Sequence, residues 1–269
     1  MVGLLADTVS ARWRPRAADF LMRALRRVCR DLQYPAAARH MDCSLLLSQE
    51  PGTPVPGSLL DVALRAARIA HRTTLDDVVA RMDESFPIPY PNVWPGEHYR
   101  LLAGLVETLG PELVIEIGTG DGLSALAMKS ALPPTGRIVT FDVADWRLSP
   151  RTCLRDADFA DRRLSHVVGD LADAGVFSRA AALLARADLI FFDGPKDGHF
   201  EPALLRRFDT LAFTGEPLLV FDDIRLWNML GVWRAIARPK LDVTSFGHWC
   251  GTGLVQWVRT HERIACASS

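Results

Sequence analysis

A doubly wound, mostly parallel α/β sheet of seven strands, with a late antiparallel hairpin and a helical N-terminal extension, is the fold this sequence predicts. Three observations predict it. From about residue 97, short apolar runs rich in β-branched residues alternate with helical stretches. Five of these runs are nearly continuous in their apolar character, as strands buried on both faces of a parallel sheet must be. Two further runs near the C-terminus are separated by only a short turn around Cys250, Gly251 and Thr252, which reads as a hairpin closing the sheet edge.

The parallel strands are expected in LVIEIG (113–118), RIVTFDV (137–143), LSHVVGD (164–170), DLIFFDG (188–194) and PLLVFDD (217–223). Helical patterns fall between and after them, over 122–132, around 151–160, and over 176–185, 202–213 and 224–237. The hairpin is expected over LDVTSFGHW (241–249) and TGLVQWV (252–258).

Residues 1–95 read differently, as helices broken by proline-rich punctuation, and are taken as an extension to a domain over 96–269. Phe20, Leu21, Ala24, Leu25 and Val28 recur at helical spacing among arginines, predicting an amphipathic helix over 17–32. The arginines read as a solvated face, with an interaction surface as the alternative. SQEPGTPVPGS (48–58) is a loop by composition. The stretch 59–82 is helical in two pieces, with Thr73, Thr74 and Asp76 offering a new N-cap. FPIPYPNVWPG (86–96) carries four prolines and excludes a regular helix.

The chain has 269 residues and a formal net charge of −1. No global basic field recruits nucleic acid or an anionic membrane. No apolar run approaches the ~20 residues needed to span a bilayer, and the start MVGLLADTVSARWRPR lacks the order of a signal peptide. Cys29, Cys43, Cys153, Cys250 and Cys266 are scattered and form no C-x-x-C pair. Reduced thiols in a cytoplasmic protein are the reading, and a cysteine zinc site is disfavoured.

Ligands of open α/β sheets bind beyond the carboxyl ends of the strands. The first predicted strand ends in Glu116-Ile117-Gly118-Thr119-Gly120-Asp121-Gly122. The glycines allow a sharp turn and a close approach to a ligand, and the following helix directs its N-terminal N–H groups to the same crevice. A dinucleotide turn wants its third glycine where Leu123 stands, and a phosphate loop wants a lysine that is missing here. The E-x-G-x-G-x-G spacing resembles the first motif of class I S-adenosylmethionine (SAM)-dependent methyltransferases, whose fold is a Rossmann-like sheet. That resemblance implies donor contacts at Glu116, Gly118, Thr119, Gly120, Gly122, Ser124, Asp142, Asp170 and Asp193. Asp142, at the second strand end, falls on the ribose hydroxyls in that family, and Asp170 near the adenine.

The fourth strand leads into FFDGPKDGHFEP and the fifth ends in LLVFDDI. If these ends are adjacent, Asp193, Asp222 and Asp223 converge. Carboxylates so placed repel one another unless a cation sits among them, and hard oxygen donors suit Mg2+ or a similar divalent ion. The alternative is that these aspartates cap the following helices. D-x-x-K-D followed by an acidic pair resembles the metal-dependent small-molecule O-methyltransferases, of which catechol and caffeoyl-coenzyme A O-methyltransferases are known members. The similarity implies Asp193, Asp222 and Asp223 as metal ligands and Lys196 as general base. Asp223 stands where those enzymes often carry asparagine. The resemblance covers residues 97–258 and leaves out the N-terminal part, which usually shapes the acceptor pocket in that family.

The chemistry that follows is methyl transfer to a hydroxyl of a small molecule, catechol-like or a sugar, with the cation acidifying the hydroxyl and Lys196 accepting its proton. A metal-independent methyltransferase and a non-catalytic SAM- or nucleotide-binding module are the alternatives; in the plain reading Lys196 is a surface lysine paired with Asp197. Nucleic acid and membrane are not expected partners. His199 is a candidate for the acceptor site, and His248 and Trp249 are expected near the hairpin turn. Trp227 and Trp233 are expected in core packing or a homo-oligomer contact. Trp94 lies in a segment that serves as a lid or as a tether.

Overall fold

The computed structural model describes residues 56–82, 86, 91, 96–226 and 228–257. The elements are α1 (Gly57–Ala70), α2 (Asp76–Val79), α3 (Tyr99–Leu109), β1 (Leu113–Ile117), α4 (Leu123–Ser130), β2 (Arg137–Asp142), β3 (Leu164–Val168), α5 (Ala174–Leu184), β4 (Leu189–Phe192), α6 (Phe200–Phe208), β5 (Leu218–Asp222), α7 (Met229–Ala235), β6 (Lys240–Asp242) and β7 (Thr252–Gln256). The strands form one sheet in the order β3-β2-β1-β4-β5-β7-β6. β1 to β5 are parallel, and β7 is antiparallel to β5 and to β6. This is the doubly wound sheet the sequence predicts. Its order reverses between β1 and β4, which places a ligand crevice at their carboxyl ends.

Both faces of the sheet are covered, which is why its strands read as continuous apolar runs. Val114, Ile138, Leu189 and Val220 pack into one layer with α1, α3 and α4. Leu113, Ile115, Ile190 and Leu219 pack into the other with α5, α6 and α7. Because side chains alternate along a strand, Glu116 shares the face of Val114 and meets Ser124 of α4. Trp233 is fully buried and lies 6.3 Å from the Phe221 ring, so it is a core residue.

The stretch 59–82 forms two helical pieces as expected, but Leu75 precedes α2 without a side-chain cap. Thr73 instead turns its hydroxyl back to the Ile69 carbonyl. α1 lies against α3, with Leu59, Ala63, Ala66 and Ala70 in one core with Leu101, Leu102 and Leu105.

Three expectations need correction. Around 151–160 there is no α-helix, only single 3₁₀ turns at Trp146–Leu148 and Asp156–Phe159. Local side-chain bonds from Arg147 N to Asp145 and from Arg155 N to Asp158 take up N–H groups there, a competition with helix that aspartate favours. α7 begins at Met229, not Ile224, because Ile224 N and Arg225 N donate to the carbonyls of Gly251 and Cys250. The β6–β7 connection spans 243–251 and is no tight turn. Asp242 Oδ1 accepts from Thr244 N, and Phe246 N and Gly247 N both donate to Val243 O, so the chain leaves the sheet early.

No described helix is long and apolar enough to cross a membrane. The helix expected over 17–32, most of the two proline-rich stretches, Trp94 and Trp227 lie outside the described residues.

Candidate functional site

The chain turns at the end of β1 through Gly118 (φ 100°) and Gly120 (φ 50°). A Cβ on Gly118 would lie 2.0 Å from the Asp193 carbonyl oxygen, so only glycine lets β1 and β4 approach this closely. Around Gly120 there is open space. Asp142, at the end of β2, holds the turn from the side: its Oδ2 accepts from Thr119 N at 2.9 Å and Gly120 N at 3.1 Å.

Two cavities flank the turn. The larger, about 730 Å³, is lined by Gly118, Gly120, Asp142, Asp170 and Asp193, among others. The smaller, about 180 Å³, is lined by Thr119, Gly122, Ser124 and Tyr99 and shares Gly120 and Asp193. His199, expected on the acceptor side, lines the larger cavity. Glu116 reaches neither. It is 0 % exposed, and Ser124 Oγ donates to its Oε1 at 2.5 Å. Burial pushes its carboxyl up to about 8, against the opposing pull of the Ser124 and Thr140 hydroxyls. It braces the turn from behind.

β4 and β5 are adjacent and in register at Phe192 and Phe221, so the residues that follow these phenylalanines emerge together. Asp193, Asp222 and Asp223 each bring an oxygen within 4.8 Å of the others. The Lys196 ammonium lies among them, donating to Asp193 and standing 2.8 Å from Asp223 and 3.7 Å from Asp222. Asp197 is not its partner: Asp197 Oδ1 accepts from His199 N and Phe200 N and starts α6. The bonds of Asp193 and Asp222 run to Lys196 and His248 rather than to helix N–H groups, so helix capping does not account for them.

The electrostatics follow from burial and crowding. Burial, and then the neighbouring Asp222, push Asp193 up to about 7, and the same two causes raise Asp223. Asp222 is held well below the carboxylate range although it is buried, because His248 Nε2 lies 2.6 Å from its Oδ1. Burial opposes the charge on Lys196, but the three carboxylates hold it above the ordinary lysine value. Lysine in this setting keeps its proton, and it turns basic only where another cation takes over the carboxylates.

Two histidines complete the cluster. The segment before α3 is tied to the β6–β7 loop, Glu97 N donating to Phe246 O at 2.8 Å and His98 N to Gly247 O at 2.9 Å. This sets the His98 and His248 rings 4.4 Å apart. Burial lowers His98 to about 4, whereas Asp222 overrides burial and raises His248 to about 10. His98 (φ 40°), Lys196 (φ 57°) and Asp223 (φ 55°) are three of the four described non-glycine residues with positive φ. Such strain gathers at functional sites. His98 and Tyr99 were not singled out in the sequence. Neither belongs to a strand-end motif, and only the tie between 96–98 and 246–248 brings them here.

The O-methyltransferase family model matches residues 89–229, more than half of the chain, and the chain belongs to that family. Among individual proteins, the transmembrane O-methyltransferase of Homo sapiens is 35 % identical over 97 residues, 34 % of this chain and 32 % of that protein. That of Macaca mulatta is 34 % identical over 97 residues, 34 % of this chain and 31 % of its own length. The chain thus spans about a third of the length of these relatives. Among solved structures, the SAH-bound methyltransferase PaMTH1 of Podospora anserina superposes with a TM-score of 0.52 at 17 % identity, over 77 % of this chain and 99 % of that one. That is a likeness of fold.

Proposed function

We propose that this chain is a SAM-dependent O-methyltransferase acting on a hydroxyl of a small molecule, catechol-like or a sugar, with a divalent cation, Mg2+ or similar, at Asp193, Asp222 and Asp223. The observation that carries the reading is the gathering of Asp222, Asp223 and Lys196 around Asp193, which lines the same cavity as Gly118, Gly120 and Asp142.

Both groups suit the residues present. A bare backbone beside a mostly apolar cavity, with the Asp142 carboxylate at its wall, suits a nucleoside. Three oxygen donors within 4.8 Å of one another suit a hard cation. Burial first and Asp222 second raise Asp193, and a cation among the carboxylates would relieve the second of these. When bound, SAM supplies a methyl group on a cationic sulfonium, and the cation supplies acidification of a neighbouring hydroxyl.

The chain's own residues do the rest. The 118–122 turn presents backbone to the donor, and Asp142 fixes that turn while accepting from the ribose. Asp193, Asp222 and Asp223 would hold the cation, and Lys196, with its carboxylate partners so engaged, would accept the hydroxyl proton at Nζ. Phe141 and Leu171 give the cavity apolar walls, and a dry wall would favour transfer between a cationic donor and an anionic oxygen.

Calorimetry with SAM and S-adenosylhomocysteine tests the donor assignment; binding of neither defeats it. Asp193→Ala and Asp222→Ala are each expected to cut turnover at least about 10- to 100-fold, the loss that removing even an outer partner of a metal ligand brings. Wild-type turnover persisting in excess chelator would sink the cation and leave a metal-independent methyltransferase.

A further inference from the structure

We propose that His98, His248 and Asp222 form a mixed imidazole–carboxylate metal site, which takes a borderline divalent ion such as Mn2+, Co2+ or Zn2+ and shares Asp222 with the three-aspartate cluster. One ligand atom from each of the three lies within 4.8 Å of the other two. His248 Nε2 and Asp222 Oδ1 are 2.6 Å apart, and the same Nε2 is 3.9 Å from Asp223 Oδ1.

Nothing in the packing of the described residues explains His98. Its imidazole makes no hydrogen bond or ion pair among the described residues, only ring contacts to Tyr99 and His248. Its backbone sits at φ 40°, ψ −109°, a region that non-glycine residues avoid. Two backbone bonds to the 246–248 loop hold it there. A Cβ on Gly96 would lie 1.9 Å from Gly247 O, so the strap closes only with glycine at 96. Strain and a glycine constraint together deliver one unpartnered imidazole onto another that is already bonded to a buried carboxylate. Cys250 stands beside this pair, its Sγ within 4.8 Å of a His248 ring nitrogen.

The donor chemistry sets the ion. Three carboxylates alone suit Mg2+ or Ca2+, whereas imidazole nitrogen shifts preference toward first-row transition ions. The proposal depends neither on methyl transfer nor on Asp193 and Asp223 binding a cation. Mn2+ added to metal-free full-length protein is the probe, read by pulsed electron paramagnetic resonance for 14N coupling from directly bound imidazole. Wild type is expected to show that coupling, and Asp193→Asn to retain it. His248→Gln and His98→Asn, each of which removes an imidazole, should each weaken the coupling and lower Mn2+ affinity at least about tenfold. Bound Mn2+ without nitrogen coupling in wild type overturns this site and leaves the three-aspartate proposal standing. No Mn2+ binding to folded wild-type protein overturns both. If either histidine variant fails to fold, the wild-type spectrum alone decides.

Discussion

Asp223 follows β5 with φ 55° and shares the Lys196 ammonium with Asp193. Asparagine tolerates that backbone and keeps an oxygen donor but carries no charge. Asp223→Asn is therefore expected to fold with stability equal to or above wild type, since it removes one of three mutually repelling carboxylates, and to bind divalent cations more weakly. Thermal melts and a cation titration check both halves. Asp142 is the second residue to test. Hydrogen bonds to a charged group are worth about 1.5–3 kcal/mol, so Asp142→Ala is expected to weaken SAM binding about 10- to 100-fold by calorimetry. Part of that loss comes from slackening the Thr119–Gly120 turn it now holds. These acidic residues were legible in the sequence, because position at a strand end specifies the crevice whatever the rest of the chain does. Lys196 was legible as a member of the motif but not in its charge state, which three carboxylates from two strands set together.

At the scale of elements, the contact between α1 and α3 depends on small residues. Ala63, Ala66 and Ala70 face α3, and a Cβ on Gly104 would lie 2.4 Å from Ala66 O. Gly104→Val would force the two helices apart. A stability loss of at least about 1–3 kcal/mol is expected from such overpacking, read as a lower denaturant midpoint. Parallel strands and their helices were readable to within a few residues, since burial on both faces leaves an unbroken apolar run. The elements read less well were those whose N–H groups found partners elsewhere. The 151–160 segment spends them on the Ser149, Thr152 and Asp158 side chains and the Asp121 carbonyl, and the start of α7 spends them on the Gly251 and Cys250 carbonyls. The supposed tight hairpin turn became a loop for the same reason, and that loop carries His248.

For the whole molecule, Glu116 ties global stability to pH. Its carboxyl titrates at about 8 in the folded protein against an ordinary value of 4.5. Between those values the native state holds a proton that the unfolded state has lost, so its contribution falls as pH rises through that window and is flat above it. Glu116→Gln, isosteric and uncharged, is expected to remove this slope. The difference in melting temperature between variant and wild type, without ligand, should grow in the variant's favour from pH 5 to pH 8 on the order of the pKa window; a constant difference would overturn the account.

The sequence by itself determined the doubly wound sheet, the glycine turn and the aspartates at the strand ends, because alternation, burial and glycine chemistry are local properties of the chain. Tertiary structure alone decided the sheet order, the protonated state of Lys196, the withdrawal of Glu116 from both cavities and the meeting of His98 with His248. Each of these depends on which distant groups share a small, dry volume, and electrostatics and packing there are set by neighbours that no stretch of sequence contains.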